Sequence, residues 1–253
     1  MKTPPFSGRV QRYDAVDSTN DRAHAALAAG TGAHGDAFLA REQLAGRGAR
    51  GRRWSRARGG LCLSMIARAD ALPPAGRWTV AGAVAVHDAC SAAGVRVELD
   101  WPNDVVAGPD RAQLAGVLAE SRGPATDYVI GIGVNVAAGA VAQDVARERP
   151  TTSLAEQGCT LDPRSFSDLL LEALEGRLGE AAADAPRLFE AFFERCHLRH
   201  RRVRVELSAR ALEGTFVGLD PDRGVLLGSA TYGLTALQLG HVTSLDALEL
   251  TAD

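Results

Sequence analysis

The stretch Arg41-Glu-Gln-Leu-Ala-Gly-Arg-Gly-Ala-Arg-Gly-Arg-Arg-Trp54 combines glycines, arginines and one tryptophan in a segment poorly suited to regular secondary structure. Between Gln43 and Ala69 there are seven arginines and no acidic residue, although the whole chain carries a net charge of -3. Glycine lets backbone N–H groups approach a ligand closely, and arginine offers planar, bidentate donors to phosphate or carboxylate. The stretch therefore predicts a loop that binds an anionic ligand, with a merely solvated arginine-rich loop as the alternative.

Strands are predicted on both sides of this loop, over Asp36–Arg41 and Leu61–Ala67. A long structureless loop between two strands of a compact domain is usually functional or disordered. Further upstream, residues 8–16 alternate as a first strand, and Asp17-Ser-Thr-Asn-Asp21 leads into a helix that ends before Gly30. The hydroxyl-rich turn either caps this helix or binds polar atoms of a ligand at the helix N-terminus.

Two further strand regions carry glycines where a strand interior would normally carry side chains. Gly116 lies in the second strand of a hairpin predicted around Gly108-Pro-Asp-Arg111, and Gly131 and Gly133 lie on one face of the strand Tyr128–Val136. Such glycines either mark a twist or bulge or let a ligand approach the backbone. Just before these regions in the chain, Asp100-Trp-Pro-Asn-Asp104 interrupts regular structure and places Asn103 and Asp104 at a strand end.

The remaining chain predicts helices and then a small all-β module. A buried helix is expected over Trp78–Gly94, and Pro150-Thr-Thr-Ser-Leu154 is expected to open a helical half with amphipathic helices over Phe166–Leu178 and Ala185–Cys196. From Arg201 onward short strands follow: Arg202–Leu207, Arg210–Leu219, Gly224–Leu227 and Leu234–Leu245. These patterns divide the chain into domains at residues 1–198 and 199–253.

Composition limits the classes of function. With 46% hydrophobic and 23% charged residues and a pI near 6.1, the chain is ordinary globular material without the basic face of a general nucleic-acid binder. The N-terminal segment has no signal-peptide core, so the cytoplasm is expected. Lys2 is the only lysine, and the four dispersed cysteines (Cys62, Cys90, Cys159, Cys196) are expected to be reduced and buried. The histidines show no H-E-x-x-H spacing, and no residue is assigned as a metal ligand.

Taken together, these segments resemble the biotin protein ligase family in its short form, which lacks an N-terminal DNA-binding domain. The segments that carry the resemblance are Asp17–Asn20, Gly46–Trp54, Trp101–Asp104, Leu114–Glu120, Gly131–Asn135 and the β-rich tail. The resemblance implies an α+β fold: a mixed-sheet catalytic domain like those of class II aminoacyl-tRNA synthetases, followed by a small SH3-like β-barrel. It further implies that biotin and ATP, with Mg²⁺, form biotinyl-adenylate, from which biotin passes to a lysine of a biotin carboxyl-carrier domain. No DNA or membrane partner is expected, and a homodimer through the central sheet is a further implication.

Site residues follow from the same resemblance, position by position. Those implied to bind biotin are Ser18, Thr19, Asn20, Gln43, Arg47, Gly116, Gly131 and Gly133. Those implied to bind the nucleotide are Arg50, Arg52, Trp54, Asn103, Asp104 and Asn135. Those assigned to catalysis are Arg47, Arg50 and Gln113 and, by a separate hypothesis from strand spacing, Arg111.

Three positions depart from the family pattern. Asp100 and Gln113 stand where the family has lysines, and Ala49 stands where the loop usually has another arginine. Loss of a charge-assisted hydrogen bond at Gln113 would slow adenylation roughly ten- to a hundredfold, and Ala49 is expected to let the adenylate escape. Arg111 lies two residues before Gln113, so on a regular strand it would face the same side and supply the missing cation. A ligase-like protein that binds biotin or a related carboxylate without turnover, and an acyl ligase or transferase for lipoate or octanoate, are the alternatives.

Overall fold

The computed structural model describes residues 7–48, 54, 59–68, 75–122, 126–140, 150–208 and 210–248. The strands are β1 (Val10–Val16), β2 (Ala37–Gln43), β3 (Gly60–Arg68), β4 (Glu98–Asp100), β5 (Asp104–Ala107), β6 (Ala112–Glu120), β7 (Asp127–Asn135), β8 (Arg202–Leu207), β9 (Ala211–Asp220), β10 (Gly224–Ser229), β11 (Gly233–Leu237) and β12 (Val242–Ala247). The helices are α1 (Thr19–Ala28), α2 (Ala75–Ala92), α3 (Pro163–Ala183) and α4 (Ala185–Arg195), with a 3₁₀ turn over Leu239–His241.

A seven-stranded sheet in the order β1-β2-β3-β7-β6-β5-β4 forms the larger part of the molecule. Strands β1 and β2 are parallel and the other neighbours are antiparallel, so the sheet is mixed. The parallel pair is connected through α1, as a crossover between parallel strands requires.

The two faces of this sheet carry different side chains because neighbouring residues of a strand point to opposite sides. On one face, Leu63 and Met65 of β3 and Ile130 of β7 join the main core, which α2, α3 and α4 cover. On the other face, Ile66 of β3 and Val129 of β7 pack against α1. Helix α1 has ten residues, and the candidate site lies on the sheet surface beside its N-terminus.

The last five strands form an antiparallel sheet in the order β11-β10-β9-β8-β12. Its core is continuous with that of the larger sheet: Phe193 of α4 meets Phe216 of β9 edge-on, with ring centroids 5.0 Å apart. The predicted fold class, a mixed α+β part followed by a small antiparallel β part, is confirmed. The boundary between residues 198 and 199 stays a prediction.

Two predicted elements are wrong. Residues 150–154 form no helix, because their backbone pairs instead with β6: Gln113 N–H donates to Pro150 C=O at 2.8 Å, and Thr152 N–H donates to Gln113 C=O at 3.0 Å. The predicted strand Leu234–Leu245 is divided in two, since the 3₁₀ turn separates β11 from β12. Among the helices that the structure describes, none is long and apolar enough to cross a membrane.

Candidate active site

Three glycines form a floor on the sheet face beside α1, which we call the glycine floor (Gly116, Gly131 and Gly133). Gly116 and Gly133 are paired across β6 and β7, and Gly131 is the next residue on the same face. The prediction that Gly131 and Gly133 share a face is thus confirmed. The neighbouring strand β3 aligns Ser64 with Gly131 and Cys62 with Gly133, so this side of the sheet carries only small groups there.

Other side chains lie directly against the glycine floor, and this explains the absence of side chains at its positions. A methyl group built at Gly131 would lie 2.9 Å from Asn20 Cγ. One built at Gly133 would overlap the Trp54 indole, at 2.5 Å from Cζ2, and one at Gly116 would lie 3.1 Å from Cζ3 of the same ring. Trp54 therefore covers the part of the floor that the sequence analysis assigned to biotin.

Beside the floor lies a buried group of neutral polar side chains, which we call the polar wall (Thr19, Asn20, Gln43 and Ser64). Their exposed fractions are 2%, 6%, 7% and 0%. Gln43 Oε1 accepts the backbone N–H of Thr19 at 2.7 Å, and Ser64 Oγ lies 2.7 Å from Thr19 Oγ1 and 2.5 Å from Asn20 Oδ1. The structure thus brings together three residues predicted from sequence and one, Ser64, that was not.

Ser18 occupies the N-cap position of α1, but its hydroxyl makes no capping hydrogen bond. The residue is almost completely buried. The turn was predicted either to cap α1 or to bind polar atoms of a ligand. Because the Ser18 hydroxyl does not cap the helix, the prediction that this hydroxyl binds a ligand remains open.

Arg47 begins the arginine loop and is held by carboxylates. Its guanidinium makes a two-pronged ion pair with Asp21, with distances of 2.7 and 3.0 Å, and lies 3.9 Å from Glu120. The hydrogen bond from Arg47 lowers the pKa of Asp21 from 3.8 to about 2, aided by Arg122 at 2.7 Å, while Asp21 raises the pKa of Arg47. The ion pair between Arg47 and Asp21 therefore holds the first residues of the arginine loop next to α1.

On the other side of the floor, Gln113 Nε2 donates to Asp104 Oδ1 at 2.8 Å. The same carboxylate oxygen would lie 3.4 Å from a methyl group built at Gly116, so it borders the glycine floor. Asn103 Nδ2 donates to Val117 C=O at 2.9 Å and Asn135 Nδ2 to Thr152 C=O at 3.0 Å. Both asparagine amides therefore fix backbone segments around the floor, and their predicted contacts with nucleotide stay predictions.

The geometric premise for Arg111 is wrong. This residue lies in the turn before β6 with a positive φ of 48°, so it does not continue the strand to Gln113. Its Nε lies 3.7 Å from Glu98 Oε2 on β4. The reason is the tight turn at Gly108–Arg111. Because Arg111 belongs to this turn and not to β6, its side chain does not follow the alternation of side chains along the strand.

Asp100 also has a specific partner. Its Oδ1 lies 2.8 Å from His197 Nε2, and both side chains are nearly buried. The carboxylate that replaces a family lysine is therefore paired with a residue that follows α4. The predictions for Arg50, Arg52 and Ala49 fall outside the described residues.

The four cysteines are free and buried, as predicted. Burial raises the pKa of the Cys62 thiol to about 12, and a hydrogen bond with Gln43 opposes part of that rise. Cys62 and Ser64 lie beside the floor and were not among the predicted site residues. Their spacing of two residues places them on one face of β3. This spacing indicates a position beside the glycine floor only once the register between β3 and β7 is known.

Comparisons with known proteins agree with this arrangement. A family model described as the biotin/lipoate A/B protein ligase family matches residues 13–136. A biotin–[acetyl-CoA-carboxylase] ligase of Paracoccus denitrificans is 38% identical over 170 residues, covering 62% of this chain and 68% of that protein. The bifunctional ligase/repressor BirA of Escherichia coli (strain K12) is 31% identical over 227 residues, covering 87% of this chain and 69% of that protein.

Solved structures show the same fold. The biotin protein ligase from Aquifex aeolicus in complex with biotin and ATP has a TM-score of 0.77 to this chain at 23% identity, covering 95% of this chain and 99% of that one. At this level of identity the likeness concerns the fold.

Proposed function

Because this chain belongs to the biotin protein ligases of the biotin/lipoate A/B protein ligase family, we propose that it is an ATP-dependent biotin–protein ligase. In the first half-reaction a biotin carboxylate oxygen attacks the α-phosphorus of ATP, and pyrophosphate leaves. In the second, the amine of a carrier lysine attacks the acyl carbon of biotinyl-adenylate, and AMP leaves. The carrier that we propose is a biotin carboxyl-carrier domain of a carboxylase.

One observation carries this proposal: a neutral, buried polar wall stands directly beside a floor without side chains. Thr19, Asn20 and Gln43 offer hydrogen-bonding groups but no charge, so they suit a neutral polar head group. In this structure the flat Trp54 indole lies on Gly133, so the bare strand backbone there can accept a ring of a ligand if Trp54 moves aside. A cyclic urea fused to a thioether ring combines both properties in one ligand.

Trp54 supports a role for the arginine loop at the same place. Its backbone N–H donates to Gly46 C=O at 3.0 Å, and its ring packs on Val16, Ala40 and Cys62. The loop is thus closed on itself at its ends, and its tryptophan lies on the floor. We propose that this ring becomes a wall of the ligand site once biotin is bound, and that Arg50 and Arg52 close over the adenylate.

The residues fit ATP with Mg²⁺. Mg²⁺ is usually held by one or two carboxylates together with substrate phosphates, not by a protein cage. Asp104 is a buried carboxylate at the border of the floor, and no cluster of three or more metal-binding side chains occurs in the described part of the chain. Asp104 would hold the ion, which would neutralise charge on the phosphates.

A second function is favoured by the two positions where lysines are expected. Gln113 is uncharged and is hydrogen-bonded to Asp104, and Asp100 is acidic and is hydrogen-bonded to His197. Neither position therefore provides a positive charge to the reacting carboxylate and phosphate. A protein with these residues would bind biotin and turn it over slowly or not at all. We propose the active ligase first, because the floor, the polar wall and Asp104 support both substrates.

One set of measurements separates these functions. Biotin binding by calorimetry, biotin-dependent exchange of labelled pyrophosphate into ATP, and transfer of biotin to a carrier-domain lysine are measured on the same preparation. An active ligase gives all three signals, whereas a binding protein gives only the first. Absence of biotin binding would refute both.

Two variants sharpen the result. Gln113→Lys places a cation at the reacting centre and is expected to raise exchange roughly ten- to a hundredfold if the missing charge limits the reaction. Arg111→Ala tests the remaining role for Arg111: unchanged exchange would exclude it as the substitute cation. Arg204→Ala on β8, which removes a surface ion pair with Glu206, is the matched arginine control.

We also propose that the protein acts in the cytoplasm and forms a homodimer through the central sheet. Size-exclusion chromatography with light scattering tests the second statement, and a purely monomeric result at micromolar concentration contradicts it.

A further inference from the structure

One row of paired residues crosses the large sheet from the glycine floor to the edge at β4. Gly133 of β7 is paired with Gly116 of β6. Gly116 is paired with Asp104 of β5, which in turn is paired with Asp100 of β4. Directly opposed residues of antiparallel strands place their side chains on the same face of the sheet. Because neighbouring strands lie ~4.8 Å apart, Asp100 lies about 10 Å beyond Gly116 on the floor side of the sheet.

His197 continues this row beyond β4. The backbone of Leu99 in β4 forms an isolated parallel bridge with Cys196, and the His197 N–H donates to Leu99 C=O at 3.1 Å. Cys196 has an extended backbone and lies in the main core with Leu99. Since successive side chains of an extended segment point to opposite sides, His197 points away from the main core, towards the face that carries Asp100. Its Nε2 lies 2.8 Å from Asp100 Oδ1 there.

The contact between these two side chains is shielded from water. Their exposed fractions are 9% for His197 and 11% for Asp100. A carboxylate oxygen accepts hydrogen bonds, so His197 Nε2 carries the proton that lies between them. No partner for Nδ1 of the same ring occurs in the described part of the chain. The hydrogen bond to Asp100 is therefore the polar contact that fixes the orientation of the ring.

The segment 100–104 is attached to its surroundings near both ends. Its first residue accepts the hydrogen bond from His197. Near its end, Asn103 exchanges two hydrogen bonds with Val117 of β6: its Nδ2 donates to Val117 C=O and its C=O accepts the Val117 N–H, both at 2.9 Å. The last residue, Asp104, is the carboxylate proposed to hold Mg²⁺. Loss of the bond to His197 therefore loosens the segment at the end that lies farthest from β6.

We propose that His197 is a positioning residue for the nucleotide end of the site. Its hydrogen bond to Asp100 holds the segment 100–104 so that Asp104 stays at the border of the glycine floor, where Mg²⁺ and the ATP phosphates are proposed to bind. The inference rests on the proposed function and deepens it. His197 acts through Asp100 and not by contact with substrate. The biotin head group is proposed to bind beside the polar wall, on the other side of the floor, so its binding is expected not to depend on His197.

Binding of an unreactive ATP analogue tests this role. In α,β-methylene-ATP a carbon atom replaces the oxygen between the α- and β-phosphorus atoms, so adenylation cannot cleave that link. Calorimetry measures the dissociation constant of this analogue with Mg²⁺ and saturating biotin, and separately that of biotin alone. His197→Ala is expected to raise the dissociation constant of the analogue at least roughly tenfold and to leave that of biotin within about a factor of two.

Further variants separate the hydrogen bond from other effects of the ring. In His197→Gln the side-chain amide can donate to Asp100 from nearly the same position, so the affinity for the analogue is expected to stay within roughly a factor of three. His241→Ala removes an exposed histidine from the 3₁₀ turn and is expected to change neither dissociation constant. If His197→Ala does not fold, His197→Leu takes its place, because leucine fills a similar volume without a donor, and the same changes are expected.

Hydrogen exchange in the free chain provides a readout that depends on no ligand. The Val117 N–H donates to Asn103 C=O, so its exchange rate reports on the segment 100–104. The Leu154 N–H, which donates to Asn135 C=O at 2.9 Å, is the control amide. In His197→Ala the Val117 amide is expected to exchange at least roughly tenfold faster, and the Leu154 amide at the wild-type rate within about a factor of two.

Four results would each overturn the proposal. They are unchanged binding of the analogue in His197→Ala, equal weakening of the analogue and of biotin, equal acceleration of both amides, and a His197→Gln chain that binds the analogue as weakly as His197→Ala. Failure of the wild-type chain to bind the analogue in the presence of biotin would instead overturn the proposed ligase function, whatever the amide exchange shows.

Discussion

Replacing Gly133 with alanine tests whether the glycine floor is the place where biotin binds. The added methyl group would lie 2.5 Å from Trp54 Cζ2 and would overlap two further atoms of the ring. Ordinary contacts between carbon atoms are ~3.5–4.0 Å long, so the ring would have to move by at least about 1 Å. The move would weaken the contacts of Trp54 with Cys62, Val16 and Ala40.

The expected magnitude follows from measured costs of overpacking. Inserting a methyl group into a packed site costs roughly 1–3 kcal/mol. Because the methyl group also rises from the floor into the space proposed for biotin, the dissociation constant of biotin is expected to increase roughly five- to 150-fold. Isothermal titration calorimetry measures this change, and urea unfolding measures the cost in the free protein.

A matched control is Gly179→Ala on helix α3. No atom lies within 4 Å of a methyl group built there, and alanine is favoured over glycine in helices by roughly 0.5–1 kcal/mol. Gly179→Ala is expected to be slightly more stable and to bind biotin as the wild-type chain does. Gly133→Ala with the same affinity as its control, within a factor of two, would refute the assignment of biotin to this floor.

Further predictions concern charge, thiols and the core. Asp21→Asn removes the ion pair with Arg47; because Asp21 is about one-third exposed, the loss is expected to stay below ~1 kcal/mol. The ion pair lowers the pKa of Asp21 to about 2, so its stabilisation is present above about pH 4 and is lost as the pH falls towards 2. The melting temperatures of the wild-type chain and of Asp21→Asn are therefore expected to converge near pH 2. A difference in melting temperature that stays constant with pH would contradict a stabilising effect of this ion pair. Burial raises the pKa of the Cys62 thiol to about 12, so we expect it to react with an aromatic disulfide at pH 8 only after the chain unfolds. Mass spectrometry measures the modification. Rapid modification of Cys62 in the native chain would contradict its burial. Phe189→Ala is expected to cost roughly 3–5 kcal/mol in urea unfolding, whereas Leu234→Ala, at a residue with 58% of its surface exposed, is expected to change stability by less than ~0.5 kcal/mol; equal effects would contradict the position of the core.

Short-range patterns in the sequence were sufficient for most elements. Alternation over residues 8–16 predicted the first strand, which the structure has as β1, and the end of α1 before Gly30, whose φ is 69°, follows from the need for glycine in the left-handed region. The segment Pro150–Leu154 does not form the predicted helix, because Pro150 and Thr152 pair with Gln113 of β6, more than thirty residues earlier in the chain, and Leu154 N–H donates to Asn135 C=O of β7. Pairing over such a distance leaves no periodic signal in the segment itself.

By itself, the sequence determined the family, the fold class and most of the polar wall, because these depend on motifs with fixed spacing such as Asp17–Asn20. Only the tertiary structure decided how charges are paired and which neighbours complete the site. It showed that Arg111 faces Glu98, that Asp100 is bonded to His197, and that Ser64 holds Asn20. The physical reason is that a side chain's partner depends on sheet register and turn geometry, which bring together residues up to about a hundred positions apart.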